Sequence, residues 1–304
     1  MLDELKSLKD QLLFQGKFDH TDFKNIVIAG MGGSGIAGSI FSEIYDKSPI
    51  EIISDYSIPS YVDSNTLFIA ISYSGNTEET ISAYREGERK GAQTAAITSG
   101  GTIAKICRNS LLIPSGLQPR SALGFMIVPL ILSLLPDASK DLKEASKVVE
   151  NIDSSNDRIR EEAISLVRAR KLPVIMGFKP FESVAYRWQT QFNENSKLLA
   201  FSSSFPELDH NQIMALENSY GKENLAFYYF SGSSGKVRER IKFTIDLAGV
   251  DAKQIPVEGN SRIAQIMHLV HYGDYFSYYA ALERKVEPRD VTTIEKLKKL
   301  LSQF

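Results

Sequence analysis

Three hydroxyl side chains, Ser72, Ser74 and Thr77, fall within six residues, after an apolar run and before an acidic one: Thr66–Thr80 reads TLFIAISYSGNTEET. That order predicts a buried strand, a turn and the start of a helix. The first turn of a helix holds backbone N–H groups without intrahelical acceptors and carries partial positive charge. Hydroxyl donors placed there complete a pocket for a phosphate dianion that needs no Lys or Arg. The plainer competing reading is a strand end and a helix cap, a position that suits Thr77. Three hydroxyls together favour phosphate, and so a small phosphorylated ligand.

A second cluster, Gly30-Met31-Gly32-Gly33-Ser34-Gly35, follows the apolar run NIVIA and formally matches G-x-G-x-x-G, with Asp55 further on at the end of the next strand. A dinucleotide-binding unit has this form. Its physical content is shared by many phosphate sites, because glycines let backbone approach an anion at a helix start. It leaves the three hydroxyls after the later strand without a purpose. No G-x-x-x-x-G-K-[ST] run occurs, which argues against a nucleoside-triphosphate loop.

The elements that would carry these residues alternate. Strands are predicted at 25–30, 50–55, 67–72, 94–98 and 110–113, with helices at 36–45, 78–90 and 121–135. Leu2, Leu5, Leu8 and Leu12 mark an amphipathic opening helix. Charged helical sequence runs from about Ser139 to Arg170 and contains the expected boundary between a domain of residues 1–150 and one of 151–304. Beyond it, strands are predicted at 172–178, 224–230 and 253–257, and helices at 181–192, 236–248, 262–282 and 293–301. Uniformly apolar strands separated by helices imply α/β domains, each a parallel sheet flanked by helices.

Composition bounds the function. The 304 residues are 43% hydrophobic and 24% charged with a net charge of −2, which disfavours a nucleic-acid binder. One cysteine, Cys107, excludes an internal disulfide framework and fits a reducing cytoplasm. No leader pattern is expected in MLDELKSLKDQLL, and FMIVPLILSLLP (Phe125–Pro136) is too short to span a bilayer. His268 and His271, three apart, lack a third metal ligand at suitable spacing. No metal, membrane or nucleic acid is therefore expected.

The two clusters together, Gly32-Gly33-Ser34-Gly35 and Ser72-Tyr73-Ser74-Gly75-Asn76-Thr77, resemble the phosphosugar-binding pattern of sugar isomerase (SIS) domains. Arg120, then Glu194 in FNENSK, His210 in ELDHNQI and the C-terminal IEKLKK extend the likeness to the bifunctional phosphoglucose/phosphomannose isomerase family across nearly the whole chain. The resemblance implies two SIS-type, flavodoxin-like domains and a cofactor-free aldose–ketose isomerisation. Glucose 6-phosphate and mannose 6-phosphate would interconvert with fructose 6-phosphate, in a cytoplasmic homodimer with active sites at its interface. It also implies roles. Gly33, Ser34, Ser72, Ser74 and Thr77 would hold the ligand, mostly its phosphate. Arg120 and Glu194 would flank C1 and C2. His210, with the partner subunit as one source of it, and Lys298 would serve the ring and its hydroxyls.

Each assignment has an ordinary competitor. Glu194 could be a solvated helical residue, His210 a cap for the helix that follows, and Arg120 a surface residue at a helix start. Lys298 stands among Lys296 and Lys299, with register Ile294-x-x-Leu297-Lys298 in its favour. The aromatic run His268–Leu282 suits a core or a subunit interface. Three rival functions remain: a non-catalytic phosphosugar sensor, the isomerase half of a hexosamine synthase, and a nicotinamide dehydrogenase.

Overall fold

The computed structural model describes residues 1–301, which divide into two compact units. The first comprises Leu2–Ser154 with Glu258–His268; the second comprises Ser155–Val257 and the chain from Leu269 onward. The division is thus discontinuous. Glu144 explains why: its carboxylate accepts the backbone N–H of Asn260 (2.7 Å) and of Ser261 (3.1 Å), tying that late segment to the first unit.

The first unit opens with two short helices, α1 (Leu2–Lys6) and α2 (Leu8–Gln11). It then alternates: β1 (Asn25–Ala29), α3 (Gly33–Ile44), β2 (Ile50–Ile53), β3 (Thr66–Ile71), α4 (Glu78–Arg89), β4 (Gln93–Thr98), α5 (Gly101–Ile106), β5 (Ser110–Leu112), α6 (Leu123–Leu134) and α7 (Ser139–Ser154). All strand pairs are parallel, in the order β2-β1-β3-β4-β5. Every residue of β3 is buried, as a central strand covered on both faces requires. On one face Val27, Ala29, Phe68, Ala70 and Ala96 pack with Ala83 and Tyr84 of α4 and with Ile103 and Cys107. The apolar α6 is buried along most of its length, and among the described residues no helix is long and apolar enough to cross a membrane.

The second unit repeats the plan: α8 (Asp157–Arg168), β6 (Leu172–Phe178), α9 (Glu182–Gln191), β7 (Phe201–Phe205), α10 (Gln212–Asn218), β8 (Leu225–Phe230), α11 (Gly235–Ala248) and β9 (Ala252–Ile255). Its parallel sheet runs β7-β6-β8-β9, the same strand order less one strand. The long α12 (Arg262–Glu283) begins in the first unit and ends in the second, and α13 (Thr292–Leu301) follows.

Two elements escape the apolar-run pattern. β7 reads FSSSF and α5 only GTIAKI, both too short and too polar to signal themselves. α3 starts at Gly33, three residues before Ile36, so the glycine cluster is the first turn of a helix and not only a loop. The aromatic run of α12 is core: Tyr275 and Phe276 are fully buried, and Tyr272 stacks on Trp188 with ring centroids 5.5 Å apart.

Candidate active site

The reversal point of each sheet lies between the first strand and the one that crosses over it. The loops after β1 and β3 both leave the carboxyl ends of their strands there, the place where open parallel sheets bind ligands. The strand order is the flavodoxin-like one and not the 3-2-1-4-5-6 order of dinucleotide folds, which removes the reason to read the glycine cluster as a nicotinamide site.

The structure ties the two loops together. The Ser72 hydroxyl donates to Thr77 Oγ1 (3.0 Å), and Tyr73 N–H donates to Ser34 Oγ (3.2 Å). Ser34 Oγ in turn donates to Met126 Sδ (3.4 Å). Ser34 therefore braces one loop against the other with its side chain, and Thr77, although at the N-cap of α4, makes no side-chain cap bond. The first turn of α4 keeps its amides for another acceptor. Ser74 is exposed and accepts the Asn76 N–H (3.3 Å). Gly75 is obligatory: its φ is +67°, and a Cβ there would collide with the carbonyl of Gly100.

Arg120 is no surface residue. It lies in a 3-10 turn, Pro119–Ser121, with 3% exposure. Its backbone is seated directly on Gly33, where a Cβ would stand 3.1 Å from Arg120 Cα. Gln11 of α2, fully buried, holds the turn from its other end by donating to Ser121 O (2.8 Å). Gly33, Ser34, Ser72, Thr77 and Arg120 thus form one connected cluster.

Tyr73 and Gln11 carry no predicted role, yet they hold this cluster in shape. The Tyr73 hydroxyl donates to Pro114 O (3.0 Å) and accepts Leu117 N–H (3.0 Å), fastening the segment that leads to Arg120. Burial pushes its phenol pKa up, so it remains a donor.

In the second unit Glu194 lies in a π-helical turn, Phe192–Ser196, that ends α9 and is closed by Lys197 in a left-handed conformation (φ +53°). Such wide turns often mark functional positions. Glu194 is partly exposed, while its neighbour Asn195 is fully buried and donates to Ser277 Oγ (3.0 Å). Beneath it Arg187 Nη2 meets both carboxylate oxygens of Asp274 at 2.9 Å, and Gln191 Nε2 donates to the same group (2.7 Å). This polar core anchors the turn from below.

His210 is exposed at the end of a 3-10 turn, Glu207–His210. That turn is fastened to α11 by Asp209, which accepts from Thr244 (2.7 Å) and Arg240 (3.2 Å). The cap of α10 is Asn211, not His210. Lys298 is exposed on α13, a helix without a buried residue. Glu194, His210 and Lys298 stand on three separate elements of the unit. Among the described residues, no group of three His, Cys, Asp or Glu side chains is arranged to hold a metal ion.

Parallel sheets of this order, with a hydroxyl-bearing loop at the reversal point, define a double SIS-domain protein. The SIS domain family matches residues 21–135, and the family described as the bacterial phospho-glucose isomerase C-terminal SIS domain matches residues 156–301. The chain is 48% identical to a bifunctional phosphoglucose/phosphomannose isomerase of Thermoplasma acidophilum, over 99% of this chain and 97% of that protein. It is 46% identical to the protein of that name from Thermoplasma volcanium, over 98% of each. The chain belongs to the bifunctional phosphoglucose/phosphomannose isomerase family. The solved C-terminal domain of glucosamine-fructose-6-phosphate aminotransferase from Francisella tularensis shares the fold, with a TM-score of 0.72 over 95% of each chain at 14% identity.

Proposed function

We propose that this protein interconverts glucose 6-phosphate and mannose 6-phosphate with fructose 6-phosphate through a cis-enediolate. Membership of the family supports the reaction. The single structural observation that carries it is the cluster at the first reversal point, where the uncapped start of α4, with Ser72 and Thr77, lies beside the buried Arg120 turn seated on Gly33.

In this reading the Ser72, Ser74 and Thr77 hydroxyls, with the first amides of α4, bind the phosphate and position the far end of the sugar. Gly33 lets the backbone close in, and Ser34 holds the two loops in register. Glu194 takes the proton from the carbon beside the carbonyl and returns it to the neighbouring carbon, one carboxylate serving both steps. The intermediate is negative, and the Arg120 guanidinium lowers its energy. His210 moves a proton between the ring oxygen and the C1 hydroxyl during ring opening, and Lys298 assists there. The enediolate is planar at C2, so the gluco and manno epimers pass through a common species.

A homodimer is part of the proposal. Support comes from α13, whose Ile294, Leu297, Leu300 and Leu301 are 42–59% exposed, and from the exposure of His210. A cytoplasmic location is part of the same reading, supported by the hexose phosphate substrate and by the single, buried cysteine.

The test is a coupled assay on fructose 6-phosphate that scores glucose 6-phosphate and mannose 6-phosphate separately, with Glu194→Gln beside the parent. The expected loss of kcat is about 10²–10⁴-fold, the usual contribution of a positioned acid–base group. Full turnover by the variant removes Glu194 from the chemistry. Formation of only one hexose ends the dual-substrate reading and leaves the isomerase reading intact.

A further inference from the structure

Lys197 stands next to the turn of Glu194 and has a conformation that its residue type does not favour. Among the described residues, three that are not glycine have positive φ, Arg170, Lys197 and Lys285. Each follows the end of a helix, where a cation meets the negative end of the helix dipole. Helix capping would account for all three if Lys197 bonded only within its own turn. It does more. Its Nζ donates to Glu194 O (2.7 Å), and also to Glu287 O (2.8 Å) and Asp290 O (2.9 Å), on a segment ninety and more residues away in sequence.

That segment leads directly into α13. Asp290 accepts from both the N–H (2.9 Å) and the hydroxyl (2.6 Å) of Thr292, the first residue of the helix. One ammonium therefore links the carbonyl of Glu194 to the two carbonyls from which α13, and with it Lys298, departs. A second cation reinforces the turn: Arg284 Nη1 donates to Ser196 O (2.7 Å). The wide turn leaves its carbonyls without the usual helical partners, and these two cations satisfy them.

We infer that Lys197 is a positioning residue for the isomerisation, clasping the Glu194 turn to the base of the C-terminal helix so that both keep one orientation. This rests on the catalytic reading of Glu194. It adds a role for a residue that touches neither phosphate nor sugar. The clasp acts on where the carboxylate stands, so its loss falls on kcat; the phosphate-binding loop belongs to the other unit and keeps its own bonds.

Lys197→Met removes the ammonium and retains much of the aliphatic stem. Assayed on fructose 6-phosphate, it is expected to lose about 10–100-fold in kcat, the scale of a misplaced catalytic group, with KM within about twofold of the parent. Lys197→Gly guards against misfolding, since glycine adopts the left-handed conformation without steric cost. It is expected to show the same split. In both variants hydrogen exchange of the amides at 291–295 should accelerate, because the base of α13 is released. A parental kcat in Lys197→Gly, a loss expressed in KM alone, or unchanged exchange at 291–295 overturns the inference. Glu194→Gln separates the two levels. If that variant is fully active, the catalytic reading has failed; if it is inactive while Lys197→Gly keeps parental kcat, only the clasp has failed.

Discussion

The two units share a strand order and differ in what they do with it. In the first, the turn after β3 is closed in: Ser72 is buried, Ser34, Thr77, Tyr73 and Ser99 bond across it, and Gly75 lies against Gly100. In the second, the corresponding turn after β8, Ser231–Ser234, is open, and Ser234 is exposed. There the candidate chemistry has moved to the end of α9, where Glu194 rides on a wide turn. The cores differ accordingly. The first unit packs alanine, valine and aromatic side chains around its sheet, whereas the second buries Arg187, Gln191, Asn195, Asp274 and Ser277 under the Glu194 turn. Holding an anion needs donors fixed around a cavity; aiming one carboxylate needs a rigid support beneath a single turn.

This contrast can be broken by experiment, beginning with the largest effect expected. Asp274→Asn leaves Arg187 facing a neutral partner inside the second unit, and removal of one member of a buried ion pair costs about 3–5 kcal/mol. Urea titration is the measurement, and a change under 1 kcal/mol would show that the polar core is not what supports that unit. Next comes the binding contrast. Ser72→Ala and Thr77→Val each should raise KM for fructose 6-phosphate about 10–100-fold, the range for a hydrogen bond to a charged group. Ser233→Ala and Ser234→Ala in the second unit should leave KM unchanged. Equal effects in both loops would mean that both units hold phosphate.

Gly75→Ala should destabilise the first unit by about 1–3 kcal/mol, since the turn must open to admit a Cβ against Gly100. A melting temperature equal to the parent's would remove the steric argument. The smallest effect concerns pH. Hydrogen bonds from the backbone N–H of Asn260 and from Ser261 lower the Glu144 carboxyl from 4.5 to about 2. A depressed carboxylate contributes stability that is complete above the unfolded value and is lost as pH falls through the folded one. Stability should therefore decline between about pH 4.5 and pH 2, and Glu144→Gln should flatten that decline in denaturant titrations run across the window. An unchanged slope would mean that the tie between α7 and the Asn260 segment adds nothing.

Much of this was legible in the residues. The all-apolar run Leu67–Ile71 could only be a strand covered on both faces, and SYSGNT after it could only be a turn rich in donors. The polar strand β7 and the short α5 were not legible, because each is held by neighbours and not by a periodicity of its own. Tyr73 was visible as a letter in the motif but not as the pin beneath the Arg120 segment, since its partners Pro114 and Leu117 lie more than forty residues on. Lys197 gave no signal at all: a lysine after a helix is ordinary until its ammonium is found on Glu287 and Asp290.

The order of residues alone determined the fold class, the donor-rich turn on which the proposed anion binding rests and the likeness to an isomerase, because these follow from hydrophobic period, side-chain type and short-range spacing. Tertiary structure alone decided that Arg120 is buried against Gly33, that Ser34 spends its hydroxyl on bracing, and that Glu194 is held by a polar core and a distant clasp. The reason is one of range. Helices, strands and turns are written in neighbours a few positions apart, whereas the direction in which a side chain points is set by groups that only folding brings beside it.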